Sequence, residues 1–546
     1  MYFKIYHIWL QQSIFLAACL LIIPTAAIEC SDDEIFDFFD DEQYLNITTN
    51  QTCPSNIKPV DVLTLLIDDL NALCILQQDF YLRTNELNQR SLLDYGIFLP
   101  QKECAHPWDI GAHFFYNQTT RDNFTRTSTK LCSYLAIFEE SFIQEIQQRI
   151  IDLGIETPVD LKDAVPLFRG MTIQERRTGF MFHGMRRWGS SRFRFWFPFY
   201  YNEANFFLTP EELDAIEADL GITDPEEDTN FARKHLIADK LGFGDLRLNL
   251  DFPLTRLGGI STKIGLLATV PTACAIKKGL YGNYFKKLCH GPELNFCTLF
   301  DLAVQQMDFE ALQEIGQQFA FTALNHFSAN LIDTKMGNGG HFGLGCYIRS
   351  KTKLNTLIRR PWADHINIIS RMTAEYLFSK TETRYFIELS DRARFAALGL
   401  NRDPKVIIED ANDDPIYAKK VLNFLESQFI DRIFPFALPV KVRPGLIFRW
   451  ITKYMYETHG WGYSVASDTW LTTREKLSKI QIPQNFPQPL NKTIARKPFG
   501  YQVGIIGNLF WKLPQNRILS LNAEYNFSST GIGPDYMLSI NFEHLF

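Results

Sequence analysis

His183 and His341 are the histidines placed to serve as a base, and Ser328 with Asn330 offers a hydroxyl and an amide close together in the chain. A serine activated by a histidine and oriented by a third polar group can attack an ester. The spacing argues against that chemistry. No G-x-S-x-G elbow occurs. Ser328 falls on a predicted helix rather than at an exposed strand end beside His341. The run Gly337-Asn338-Gly339-Gly340-His341-Phe342-Gly343-Leu344-Gly345 invites a phosphate-loop reading. It lacks the Gly-Lys-Ser/Thr ending and enters a strand instead of a helix, so a tight turn opening a strand is the better account. Cys289-His290 with Cys297 lacks a fourth ligand at metal-site spacing. The expectation is a non-enzyme with no cofactor and no metal.

Charged residues at alternate positions carry more information. Asp245, Arg247, Asn249 and Asp251 interleave with Leu246, Leu248, Leu250 and Phe252. Neighbouring side chains of a strand point to opposite faces, so this strand has one oily and one ionic face. In a membrane wall, Arg247 on the lipid face near the midplane would cost about 2–4 kcal/mol. With Asp245 and Asp251 added, the cost would approach the whole net stability of a domain, about 5–15 kcal/mol. The leucine face must therefore meet lipid and the ionic face an enclosed aqueous space. The same rule turns Arg192 and Arg194 inward, opposite in register to Phe193, Phe195, Phe197 and Phe199. It also turns inward Arg371, Thr373 and Glu375, then Asn522, Glu524 and Asn526, then Ser539, Asn541 and Glu543. A lumen carrying both signs of charge suits small polar solutes. The alternative is that these groups pair across strands and stiffen the wall.

The elements that position them are strands. The final stretch alternates Tyr536, Leu538, Ile540, Phe542 and Phe546 with Ser539, Asn541 and Glu543. Its length suffices to cross a bilayer when tilted. This stretch resembles the C-terminal strand of Gram-negative outer-membrane β-barrels, whose terminal aromatic helps the insertion machinery recognise its client. His544 departs from the usual apolar occupant of its register. The segment Gly242-Phe243-Gly244-Asp245-Leu246-Arg247-Leu248 resembles a strand of porin-like outer-membrane transport proteins. The resemblance implies a solute channel or transporter with outer-membrane lipid and the insertion machinery as partners. Outer-membrane phospholipase A is similar in barrel size, which keeps a lipolytic barrel as the lesser alternative.

About twelve spanning strands are predicted: 108–118, 179–188, 192–201, 244–253, 261–271, 341–350, 366–378, 439–451, 460–471, 499–513, 517–527 and 536–546. A shorter segment, Arg384 to Leu389, reads as a rim strand. Helical insertions are expected near 131–153, 209–240, 296–335 and 390–435. Trp188, Trp450, Trp461, Trp470, Trp511 and Tyr525 lie on strands, several of them expected at the interfaces. The fold class is thus an all-β transmembrane barrel of about 12 antiparallel strands, with helical insertions and an N-terminal α-helical region.

The bulk figures agree with this class. Aromatics make up 14% of the chain, with 46 Phe, yet mean hydropathy is only -0.12. Membrane helices would raise that value, whereas alternating barrel strands leave it average. A formal charge of -7 and the lack of a basic run speak against nucleic acid as a partner. Lys4, the apolar run Ile14 to Ile23, Pro24 and Thr25-Ala26-Ala27 form the pattern of a signal peptide over 1–27. Residues 28–107 read as a periplasmic or plug-like region with a helix near 60–89, and 108–546 as the barrel. Of the 10 cysteines, all but Cys19 lie beyond the cleavage point, and export favours disulfides among them.

Overall fold

The computed structural model describes residues 108–119, 174–205, 237–281, 333–386, 436–482 and 490–545, apart from positions 258, 359 and 491. The expected signal peptide, the 28–107 region, most or all of each expected helical insertion and Phe546 lie outside the described residues.

Among the described residues there are seventeen strands: β1 (Trp108–Thr119), β2 (Gln174–Trp188), β3 (Ser191–Asn205), β4 (Ile237–Phe243), β5 (Leu246–Leu257), β6 (Ile260–Val270), β7 (Cys274–Lys278), β8 (Gly343–Lys353), β9 (Ile366–Leu377), β10 (Lys380–Phe386), β11 (Phe436–Arg443), β12 (Ile447–Glu457), β13 (Trp461–Thr472), β14 (Lys476–Ser478), β15 (Gly500–Leu513), β16 (Arg517–Thr530) and β17 (Asp535–Leu545). Twelve of them form a closed antiparallel ring, in the order β1-β2-β3-β5-β6-β8-β9-β12-β13-β15-β16-β17. The last strand returns to the first, in register from Asp109↔Leu545 to Thr119↔Asp535. Closure removes the unpaired edges that an open sheet would expose.

Alternation decides the faces. On β5, Asp245 at its entrance, Arg247, Asn249 and Asp251 are buried, while Leu246, Leu248 and Leu250 are partly exposed and Phe252 more so. On β17, Ser539, Asn541 and Glu543 are buried, and Leu538, Ile540 and Phe542 are exposed. Tyr536 is half-buried at the head of that strand. The outer face therefore carries the apolar set around the ring and the inner face the polar set.

The ends of the ring differ. Connections at one end are short, such as Gly189-Ser190 and the Pro514-Gln515-Asn516 turn, whose Gln515 and Asn516 have φ of 59° and 57°. Two positive φ values in a row match the twist of a tight hairpin. Connections at the other end are long, except for the Gly531 to Pro534 turn between β16 and β17. That asymmetry is typical of bacterial outer-membrane barrels. Trp108, Trp188 and Trp461 lie exposed near the short-turn end. Arg186 sits 5.0 Å from the Trp108 ring and 5.1 Å from the Trp188 ring. Amphipathic rings at such a level suit a membrane–water interface. Trp470, by contrast, points inward and is buried.

Some expectations require correction. The single strand expected over 439–451 is two elements. Gly445 lies so close to the backbone of Thr473 that an added Cβ would meet its carbonyl oxygen at 1.7 Å. The chain breaks there, and β11 leaves the wall to pair with β10 and β14 in a separate three-stranded sheet. The rim segment begins earlier than expected, at Lys380, and forms part of that sheet. Residues 237–240, at the edge of the expected 209–240 insertion, begin β4. Nor is β4 a separate wall strand: β4 and β5 both pair with β3, offset by Gly244-Asp245, and Gly244 N–H donates to the Pro198 carbonyl at 2.8 Å. Pro198 thus lies opposite a break in the ladder, where its missing N–H does least harm.

Candidate functional site

The candidate site is the barrel interior. Hairpin geometry alone places inward side chains from strands far apart in sequence beside one another. Arg194 on β3 donates to Asp251 on β5 at 3.2 Å. The Tyr347 hydroxyl on β8 donates to the other Asp251 oxygen. The Arg371 guanidinium from β9 stacks 3.8 Å from the Tyr347 ring centroid. Gly265 on β6 makes that stack possible, since an added Cβ would lie 2.1 Å from the ring. Arg247 pairs with Glu375 at 2.9 Å, and Thr269 donates to the same carboxylate at 2.6 Å. Arg449 on β12 grips Asp468 on β13 through two bonds of 2.9 and 2.8 Å. Such forked pairs fix geometry as well as charge.

Further round the ring the interior is mostly amide and hydroxyl. Asn522 bonds Asn508 and donates to Ser539 at 3.2 Å. Asn526 and Asn117 donate to Asp535 at 2.6 and 3.1 Å. Glu524 and Glu543 add carboxylates, with His183 3.8 Å from Glu543. Three apolar clusters complete the interior among the described residues, one of them Ile451, Ala466 and Ile506 on β12, β13 and β15. Ile369, Met455, Phe510 and Ile518 meet near the short-turn end. Phe115, Met181, Trp196, Tyr200 and Met537 meet on the opposite side of the ring, with Met336 packed against them.

Met336 belongs to an inward loop, residues 333–342. Lys240 bonds Asp333 at 2.7 Å, Asn202 donates to the Lys335 carbonyl at 3.1 Å, and Gly337 N–H donates to the Tyr200 hydroxyl at 3.0 Å. Asn338 N–H donates to Asp245 at 2.6 Å. The glycine-rich run is a turn that opens β8. Gly337 has φ of 65°, and a Cβ there would lie 2.4 Å from Ala273 and 2.6 Å from the Asp245 carboxylate. His341 bonds Glu382 on β10 and the Phe378 carbonyl; among the described residues no serine hydroxyl bonds it. Ser328 and Asn330 lie outside the described residues. Glu382 also faces Arg384 at 3.2 Å and Lys335 at 3.9 Å. Burial would raise the Glu382 carboxyl, but Arg384, the bond to His341 and Lys335 outweigh it and hold it at about 2.

All the interior residues expected from sequence lie on the inner face. Asp245, Arg247, Asn249, Asp251, Arg194, Arg371, Glu375, Asn522, Glu524 and Asn541 are buried, and Arg192 is half-buried. The structure brings Arg192, Arg194, Asp251 and Arg371 into one group, and Arg247 with Glu375 into another. Arg349, Lys263 and Lys453 were not anticipated. Tyr347, Arg349 and Lys351 alternate on β8 as Arg192 and Arg194 do on β3, and that signal could have found Arg349. Cys274 carries a free thiol at the start of β7. The cysteines that supported the disulfide expectation lie, apart from Cys274 and Cys346, outside the described residues. A groove of about 630 Å³ lies on the outer wall, between Phe114, Val465, Leu509, Leu521 and Ile540. It faces away from the ion pairs.

An oily exterior, a wet interior and a closed ring occur here together. This is the architecture of an outer-membrane barrel. No family model and no curated protein matches the chain. Solved structures of similar form include an outer-membrane channel of Pseudomonas putida F1, with TM-score 0.37, 7% identity, and coverage of 82% of this chain and 100% of that one. The toluene transporter TodX of P. putida gives TM-score 0.30, 8% identity, and coverage of 85% and 96%. LpxR of Salmonella typhimurium gives TM-score 0.25, 7% identity, and coverage of 80% of this chain and 100% of that one. Likeness at this level concerns barrel form, not activity.

Proposed function

We propose that this barrel sits in a Gram-negative outer membrane and passes small solutes through its interior. The observation that supports this most is the inner face itself: charged groups dominate it on β3 to β9 and amide groups on β15 to β17, beside the apolar clusters. Groups of both signs in water select solutes by charge and size. Export by the 1–27 signal, recognition of β17 by the insertion machinery and solvation of the outer face by lipid belong to the same reading.

A second reading is favoured by one observation. The interior side chains are packed and largely bonded to one another, as a non-conducting structural barrel would require. Reconstitution in planar bilayers separates the two. A channel gives discrete conductance steps and solute flux in loaded liposomes; a protein that inserts, shows heat-modifiable mobility and gives neither is the structural barrel. A lipolytic role draws no support from His341, whose ring is held by Glu382 and Phe378.

A further inference from the structure

Arg349 on β8 is 5% exposed, and among the described residues its Nε and Nη2 donate to no group. Nε of Arg194, also 5% exposed, is likewise unmet. A buried guanidinium normally finds acceptors for its donors. These two lie in a group of cations assembled from four strands: Arg192 and Arg194 on β3, Lys263 on β6, Arg349 on β8 and Arg371 on β9. Asp251 is the carboxylate common to all of them. One Asp251 oxygen takes Arg194 and the other takes Tyr347, so its bonding is already directed elsewhere. Asp109 acts on Arg192 from β1, and Lys453 and Lys351 add further positive charge beside Arg349.

We infer that this group is an oxyanion-binding site, in which the unmet donors of Arg349 and Arg194 receive a carboxylate or phosphate group inside the barrel. The inference has two independent supports: an excess of cations over the carboxylate they share, and buried N–H donors directed at no protein acceptor. Guanidinium forks match the two oxygens of a carboxylate or phosphate better than they match a halide. The inference deepens the channel reading, because an anion held at this level would be the solute or its competitor, but occupancy itself does not require conduction.

The test uses the full chain refolded in detergent. Inorganic phosphate and acetate are titrated separately by calorimetry at constant ionic strength, against wild type, Arg349→Gln and, as a charge control, Lys476→Gln on β14. Saturable binding is expected for wild type and Lys476→Gln, weakened at least tenfold in Arg349→Gln, with heat-modifiable mobility unchanged in all three. Tighter phosphate than acetate assigns the site to phosphates, and the reverse to carboxylates. Absence of saturable binding in wild type, or equal binding in Arg349→Gln, overturns the inference. If Arg349→Gln does not fold, protection of wild type against thermal unfolding by phosphate, set against an equal concentration of chloride, decides instead: no protection overturns it. Reversal potentials in a salt gradient are read in parallel. Wild-type conductance without anion preference and without phosphate binding removes the site and leaves the channel; phosphate binding without conductance removes the channel and leaves the site.

Discussion

Between β3 and β9 the inward register is ionic; between β15 and β17 it is mainly amide and hydroxyl with scattered carboxylates. Both arcs obey the same period-two rule, and both turn their apolar partners outward. They differ in how their polar groups are satisfied. In the amide arc, Asn508, Asn522 and Ser539 lie on three consecutive strands and bond in a chain across them. Each such group is both donor and acceptor, so neighbours suffice. In the ionic arc, a guanidinium only donates, and Asp251 must serve several cations at once. The alternation therefore fixes which face is wet, whereas the composition of each arc fixes how much one substitution disturbs.

The largest effect should follow from Asp251→Ala. It leaves Arg194, Arg349, Arg371 and Lys263 without their shared carboxylate. Breaking a buried pair by removing one partner costs about 3–5 kcal/mol, read as a lower midpoint in urea unfolding from detergent or liposomes. Leu521→Arg challenges the outer face of the amide arc instead. An arginine near the midplane of a lipid-facing wall costs about 2–4 kcal/mol, and the same assay reads it. If Leu521→Arg proved neutral, the assignment of faces on β16 would fail. Gly337→Ala tests the inward loop. A left-handed φ and a clash with Ala273 together predict a loss of about 1–2 kcal/mol, seen as faster protease cleavage near residue 337 with the wall intact. Asn522→Ala should cost only about 1 kcal/mol, since Asn508 and Ser539 can turn to each other or to water.

The rim supplies a pH-dependent test. The Glu382 carboxyl lies at about 2 in the folded protein, against an ordinary 4.5. Its folded value is depressed, so its stabilisation is complete above 4.5 and is lost as pH falls from there through about 2. Protease resistance of the β10-β11-β14 sheet should decline across that window in wild type. In Glu382→Gln it should be lower at neutral pH and flat across the same window.

Much of the wall was legible because alternation is a strong local signal. β3, β5 and β17 each show it over several consecutive pairs. β4, β7 and β14 were missed: they are short, and only their partners make them strands. The 439–451 error has a related cause. Val440, Val442, Leu446 and Phe448 share one parity, and the departure of β11 into another sheet depends on strands elsewhere in the chain. The inner face of the site was legible by the same rule, but its pairings were not. Arg194 and Asp251 are 57 positions apart, and Arg247 and Glu375 are 128 apart. Register round a closed ring, which no local pattern encodes, brings them together. The inward loop at 333–342 was hidden for the same reason: the glycines announce a turn without saying what it turns over.

The central claim is that one face of each wall strand meets acyl chains and the other an enclosed aqueous space. Nitroxide labels at Leu538→Cys, Ser539→Cys, Ile540→Cys and Asn541→Cys, in a background with the native cysteines replaced by serine, test it most directly by power-saturation EPR in liposomes. Oxygen access should be high and nickel-chelate access low at 538 and 540, with low oxygen access at 539 and 541. Equal access along all four positions, or the opposite phase, would contradict the account.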